Sequence, residues 1–239
     1  MLRLIGFDGD DTLWHSEDYY RQANDSFAAI VGRYVDLADA EVHATMLATE
    51  RRNLALFGYG AKGMTLSMVE TAIAITDGRI AVADIHRLVE LGKSVLQHPV
   101  ELLPGIREAV TAVAAEYPVV LITKGDLFHQ EKKVEQSGLA ELFGRIEIVS
   151  EKNPATYRRV LAEFELPPEQ FAMVGNSLRS DIEPVLRQGG WGVHMPYHVT
   201  WSHELDHGLG VDDAQRMLTV DAPAGIVAAV AELAARAQG

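Results

Sequence analysis

Four short apolar runs, separated by helical patterns, constrain this chain more than any other feature. They are PVVLITKGD (118–126), RIEIVSEKN (145–153), QFAMVGNS (170–177) and WGVHMP (191–196), of which the first three end in polar residues. Between them lie LFHQEKKVEQSG, PATYRRVLAEFE and RSDIEPVLRQGG, with IREAVTAVAAEY before the first run and GIVAAVAELAARA after the last. Apolar residues in these intervening segments recur at the helical period. Strands this apolar, alternating with helices, predict a parallel sheet covered on both faces. One more apolar run, LRLIGF (2–7), stands far upstream and reads as a further buried strand.

The stretch between is different. SEDYYRQANDSFAAIVGRY, ADAEVHATMLATERRNLALF, MTLSMVETAIAIT and AVADIHRLVELGKSVLQ are all helical in pattern, with Ser16 placed as an N-cap. No strand pattern interrupts them. The expected organisation is a sheet domain from 1–13 and 100–239, with an all-helical domain over 14–99. A glycine-rich break, GYGAKG (58–63), separates two of the helices and carries Lys62.

With 239 residues, the chain is long enough for one large domain or two modest ones. Its net charge of -13 argues against a general nucleic-acid or membrane-surface binder. It contains no cysteine, which excludes disulfides, thiolate catalysis and Cys-ligated zinc. The N-terminal apolar run is too short for a signal peptide, and no run approaches the roughly 18 apolar residues of a membrane span. A cytoplasmic monomer or homodimer is expected.

In an open parallel sheet, ligands sit beyond the carboxyl ends of the strands. Those ends carry Asp8 and Asp10, Thr123 and Lys124, Lys152, and Asn176 with Asp181. Aspartates as close as Asp8, Asp10 and Asp11 repel one another and call for a positive group among them. Hard oxygen donors suit Mg²⁺, one carboxylate can attack phosphorus, and a second can carry a proton to and from the reacting oxygens. A hydroxyl, a lysine and backbone N–H groups can hold the transferring oxygens.

In order along the chain, DGDDT, LITKG, SEKNP and VGNSLRSD resemble the four motifs of the haloacid dehalogenase-like hydrolase superfamily. The resemblance implies a Rossmann-like parallel sheet core and an all-helical cap following the first motif. It implies Asp8 as nucleophile, Asp10 as acid/base, Thr123 as a phosphate ligand and Lys152 as the group steadying phosphate and nucleophile. Lys124 and Gly125 would add substrate contacts, and Mg²⁺ would be held from the set Asp8, Asp10, Asn176 and Asp181. The fourth motif departs from the common form, because Asn176 stands where an acidic residue often follows the glycine. Asp181 is favoured as the direct metal contact because it keeps the charge.

The implied activity is hydrolysis of a small phosphorylated metabolite through an aspartyl-phosphate. Haloacid dehalogenation, phosphomutase activity and a non-catalytic phosphate-binding role are the alternatives. The family's dehalogenases resemble DxYGT, with no carboxylate at the second position, so Asp10 argues for a phosphatase. Lys62 is expected to contact the leaving group or a substrate anion; Trp14 and Tyr59 are candidates for the entrance, although packing is the commoner role of such aromatics. DGDDTLWHSEDY fails as a calcium loop, having Leu13 and Tyr19 where glycine and glutamate are needed. HELDH (203–207) matches a zinc-protease pattern, but adjoining Gly208 and Gly210 argue for a loop, not a helix.

Overall fold

The computed structural model describes residues 1–38, 41–201, 204, 208–209 and 215–238. Strands β1 (Leu4–Phe7), β2 (Val119–Lys124), β3 (Arg145–Val149), β4 (Phe171–Gly175), β5 (Trp191–His194) and β6 (Met217–Thr219) form one sheet in the order β3-β2-β1-β4-β5-β6. Every pairing is parallel. The strand order reverses at β1, between β2 and β4, which is where a doubly wound sheet opens a crevice. In register, Phe7 at the end of β1 sits beside Leu121 on one side and Val174 on the other, with β2 running on to Lys124 and β4 to Gly175.

Alternate residues of the strands serve opposite faces. Ile5, Phe7, Val119, Leu121, Ala172 and Val174 pack with helices α5 (Ile106–Ala114) and α9 (Ile226–Arg236). Leu4, Val120, Ile122, Phe171 and Met173 pack with α7 (Pro154–Glu163) and with α8 (Glu183–Leu186) through Val185. Asn153 caps α7, accepting the Thr156 amide at 3.0 Å, and Pro154 opens the first turn where its missing N–H goes unused. Helix α6 (Leu127–Ser137) follows β2.

The remaining helices, α1 (Glu17–Val31), α2 (Val42–Phe57), α3 (Ala61–Ile75) and α4 (Val82–Gln97), share a separate core around Phe27, Val31, Met46, Met68 and Leu88. Two compact units result. One comprises Met1–Glu17, Val100–Lys124 and Gln130–Gly239; the other comprises Asp18–Pro99 and Gly125–His129. Residues 14–17, assigned from the sequence to the helical part, belong to the sheet unit, where Trp14 and Ser16 bond to Asp10 and Lys133.

Two local expectations need correction. WGVHMP is not the last strand: β6 follows, but its three residues are too few for a legible alternation. RSDIEPVLRQGG is not one continuous helix. Leu178–Ile182 forms a π-turn, with Ile182 N donating to Ser177 O at 3.3 Å, before α8 begins. Such turns concentrate at functional sites.

Candidate active site

Beyond β1 the chain folds back sharply, with the Leu13 amide donating to Gly9 O at 2.7 Å and the Asp11 amide to Trp14 O at 2.7 Å. Asp11 takes a left-handed φ of 61°, a conformation aspartate adopts more readily than most residues. Its carboxylate accepts from the amides of Ser16 at 2.8 Å and Glu17 at 3.0 Å. The Asp11 carboxylate therefore satisfies the amide just before α1 and the first amide within it. Burial, and then the neighbouring Asp10 charge, push Asp11 up to about 8.

Asp8 lies at the centre. Lys152 Nζ donates to Asp8 Oδ1 and, at 2.7 Å, to Asp181 Oδ1, and all three side chains are buried. Burial opposes the Lys152 charge, but Asp181 and Asp8 outweigh it and hold the ammonium above its ordinary range. Burial and Asp181 repulsion push Asp8 up to about 7, against the pull of Lys152. Two carboxylates thus share one ammonium. Thr12 Oγ1 donates to Asp8 Oδ2 at 3.0 Å and lies 3.4 Å from Asn176 Oδ1. Asp181 Oδ2 accepts the Ser177 amide at 3.0 Å. This placement depends on Gly175, because a Cβ there would overlap the Asp181 carboxyl group.

Asp10 has a different environment. Its Oδ1 accepts Trp14 Nε1 at 2.6 Å and Lys133 Nζ at 2.7 Å, while Gln130 Nε2 lies 3.0 Å from Oδ2. Partial burial works against ionisation, but Lys133, with Trp14 and Gln130, lowers the Asp10 carboxyl below its usual value. Thr123 is buried, and its Oγ1 lies 2.9 Å from the same Gln130 nitrogen. Trp14, a candidate for the entrance or for packing, is 1% exposed and donates from the interior. Lys133 and Gln130 escaped sequence reasoning altogether. The available signal was polar residues three apart in LFHQEKKVEQS, on a helix whose Leu127 and Phe128 face solvent.

The β2 lysine is committed as well. Lys124 Nζ donates to Ser180 Oγ at 2.8 Å and to Glu204 Oε1 at 2.5 Å. Glu204 Oε2 accepts from Ser177 Oγ at 2.5 Å and Ser180 Oγ at 2.6 Å. Lys124, helped by both serines, overcomes desolvation and holds Glu204 down to about 2. Lys124 was expected to add a substrate contact; its side chain is 15% exposed and engaged by Glu204 and Ser180. Glu204 is the described member of HELDH, whose His203 and His207 lie outside the described residues.

In the helical unit, Lys62 lies in the first turn of α3, not in the preceding loop. Its Nζ donates to both carboxylate oxygens of Asp126 at 2.9 Å and stands 5.3 Å from the Phe128 ring centroid. Gly125, the residue after β2, has a φ of 146°, a region glycine occupies freely. Tyr59 belongs to the same unit.

Oxygen donors, an uncompensated negative charge and a carboxamide suit a hard divalent cation. Among the described residues, no three His, Asp or Glu side chains gather into a metal cluster. Asp8 Oδ2 and Asn176 Oδ1, drawn together at the Thr12 hydroxyl, fit an ion that keeps several waters. Asp10 was placed in the metal set, but its carboxylate is occupied by Lys133, Trp14 and Gln130.

The model of the haloacid dehalogenase-like hydrolases matches residues 2–187. The chain belongs to that family. A haloacid dehalogenase-like family hydrolase from Xanthomonas campestris is 59% identical, with 99% of this chain and 98% of that one covered and a TM-score of 0.90. The 2-haloacid dehalogenase from Pseudomonas syringae pv. tomato DC3000 is 16% identical over 97% and 99% of the two chains, with a TM-score of 0.60. The magnesium-bound HAD-hydrolase YfnB from Bacillus subtilis is also 16% identical, over 94% and 96%, with a TM-score of 0.60. The last two show a shared fold. No curated protein matches the sequence. Among the described residues, no helix of this hydrolase is long and apolar enough to cross a membrane.

Proposed function

We propose that this hydrolase cleaves a small phosphomonoester in the cytoplasm, with Mg²⁺, through an aspartyl-phosphate on Asp8. The observation that carries the reading is the second carboxylate, Asp10, two residues past Asp8 and held by its own set of donors. Displacement of halide from carbon needs no leaving-group acid, whereas ester cleavage does.

Asp8 attacks phosphorus while Lys152 keeps its carboxylate oriented. The ester oxygen departs with a proton from Asp10 Oδ2, which takes that proton up first, because Lys133, Trp14 and Gln130 favour the ionised carboxylate; Gln130 Nε2 stands 3.0 Å from that oxygen. Asp10 then takes a proton from the water that attacks the phosphoryl group, and phosphate leaves Asp8. Thr123 and the backbone after β2, including Gly125, hold the transferring oxygens. Asp8 and Asn176 are the proposed direct metal ligands, because Asp8 Oδ2 and Asn176 Oδ1 converge at the Thr12 hydroxyl, while Asp181 is bonded to Lys152 and the Ser177 amide. Mg²⁺ bound there would offset the charge of the transferring group.

The helical unit is proposed as the cap that reads the leaving group. Lys62 is its substrate contact, half exposed and paired with a carboxylate that an incoming anion can replace. Lys62→Ala should then lower kcat/KM for the natural substrate and spare a small aryl phosphate.

The deciding experiment measures phosphate release from a panel of phosphorylated metabolites with Mg²⁺, alongside halide release from 2-haloacids. Phosphate release that disappears in Asp8→Asn is expected. Halide release without phosphate release would replace this reading by dehalogenation.

A further inference from the structure

Helix α6 turns its polar residues inward. Leu127 and Phe128 are exposed, while Gln130 and Lys133 are buried. A helix packed on a sheet ordinarily buries its apolar stripe, and a buried lysine requires a partner. Gln130 and Lys133 are three residues apart and so share one face of the helix.

Both converge on one carboxylate. Lys133 Nζ reaches Asp10 Oδ1 at 2.7 Å and Ser16 Oγ at 3.1 Å. Gln130 Nε2 lies 3.0 Å from Asp10 Oδ2, 2.9 Å from Thr123 Oγ1 and 2.9 Å from the Lys124 carbonyl oxygen. Trp14 Nε1 approaches Asp10 Oδ1 from the β1 turn at 2.6 Å. An aspartate free to rotate visits several rotamers, whereas one gripped on both oxygens is confined to one. The Gln130 amide also ties that carboxylate to the hydroxyl at the β2 end. Charge neutralisation alone would need the lysine but not the amide bridge.

We propose that Lys133 and Gln130 are positioning residues that hold Asp10 in one rotamer and align it with Thr123. The kinetic part of this inference rests on the phosphohydrolase reading above. Neither residue touches the reacting atoms; both act through Asp10. A proton donor must lie within hydrogen-bond reach of the leaving oxygen, so looser placement penalises esters that need the proton.

The test compares Lys133→Met with wild type on an alkyl phosphate and on an activated aryl phosphate. The expected loss in kcat is about 30-fold for the alkyl ester and under about fivefold for the aryl ester, within the roughly 10²–10⁴ that acid catalysis supplies. KM should stay within about threefold. A readout independent of turnover is the Trp14 indole N–H resonance, identified by its disappearance in Trp14→Phe. In Lys133→Met it should shift and exchange with solvent at least about tenfold faster, because its acceptor is no longer held. The Trp191 indole, bonded to Glu169 O at 2.9 Å, is the control and should not change. Equal losses on the two esters, or an unmoved Trp14 resonance, overturns the proposal. If the wild type hydrolyses neither ester, the phosphohydrolase reading fails and the indole measurement alone decides the positioning role. If Lys133→Met does not fold, the near-isosteric Gln130→Met carries the same comparisons.

Discussion

Lys152 is the residue on which the site's electrostatics turn. It faces Asp8 and Asp181 with its own charge buried, so removing it strands two carboxylates away from water. Breaking a buried ion pair from one side typically costs about 3–5 kcal/mol. Lys152→Met should therefore lose stability on that scale in urea unfolding as well as activity. The double variant Lys152→Met/Asp181→Asn should recover part of the stability and none of the activity. Asp10→Asn should behave differently. Its stability change should be smaller than that of Lys152→Met, because Asp10 is more exposed, with 29% of its side chain accessible. Its rate loss should be about 10²-fold or more for poor leaving groups and less for activated ones, where phosphorylation of Asp8 limits. Equal losses across a leaving-group series would remove Asp10 from the acid role.

At the scale of elements, the β4 end and the π-turn after it work as one piece. Gly175 leaves space for Asp181, while Ser177 accepts the Ser180 amide at 3.0 Å and positions the turn. Gly175→Ala should push the carboxylate off Lys152, costing about 1–3 kcal/mol as an overpacked site does, with activity falling at least about tenfold. Gly144→Ala is the comparison: the nearest atom to a Cβ there is Val119 O at 3.8 Å, so stability should hold within about 0.5 kcal/mol. The strand ending at Gly175 was legible from QFAMVGNS because buried parallel strands are continuously apolar. The π-turn was not. RSDIEPVL has a helical period, and only the i→i+5 bonding to Ser177 O reveals the extra residue. Similarly, α6 was legible as a helix, but its buried polar face could not be seen without Asp10 and Thr123 beside it.

For the whole molecule, the proposed metal site would link proton and metal binding through Asp8. Its carboxyl rises from 3.8 in the unfolded chain to about 7, so the folded chain holds the extra proton between those values. Its contribution to stability without metal is complete below the lower value and is lost as pH rises through the upper one. Asp11, pushed up to about 8, acts in the same direction. A divalent ion binds the ionised form, so Mg²⁺ should stabilise the fold more as pH rises from about 5 to about 8. Saturation at 100 times Kd is worth about 2.7 kcal/mol. Melting curves with Mg²⁺ or with chelator across that range measure the effect, and Asp8→Asn should abolish most of it. A Mg²⁺ shift that shrinks with rising pH would contradict the linkage.

The sequence by itself determined the alternation of buried strands and helices, the helical unit after β1 and the four clusters of polar residues at strand ends. These follow from local periodicity and from the rule that a parallel sheet presents its ligand groups at one edge. Tertiary structure decided which charges meet. Lys152 stands between two aspartates 144 and 29 positions away, and Lys133 pairs with an aspartate 123 positions away. It also assigned Asp11 to the start of α1 and Lys124 to Glu204. Pairing of this kind depends on which side chains share a desolvated space. That space exists only once the sheet order has brought β2, β1 and β4 side by side.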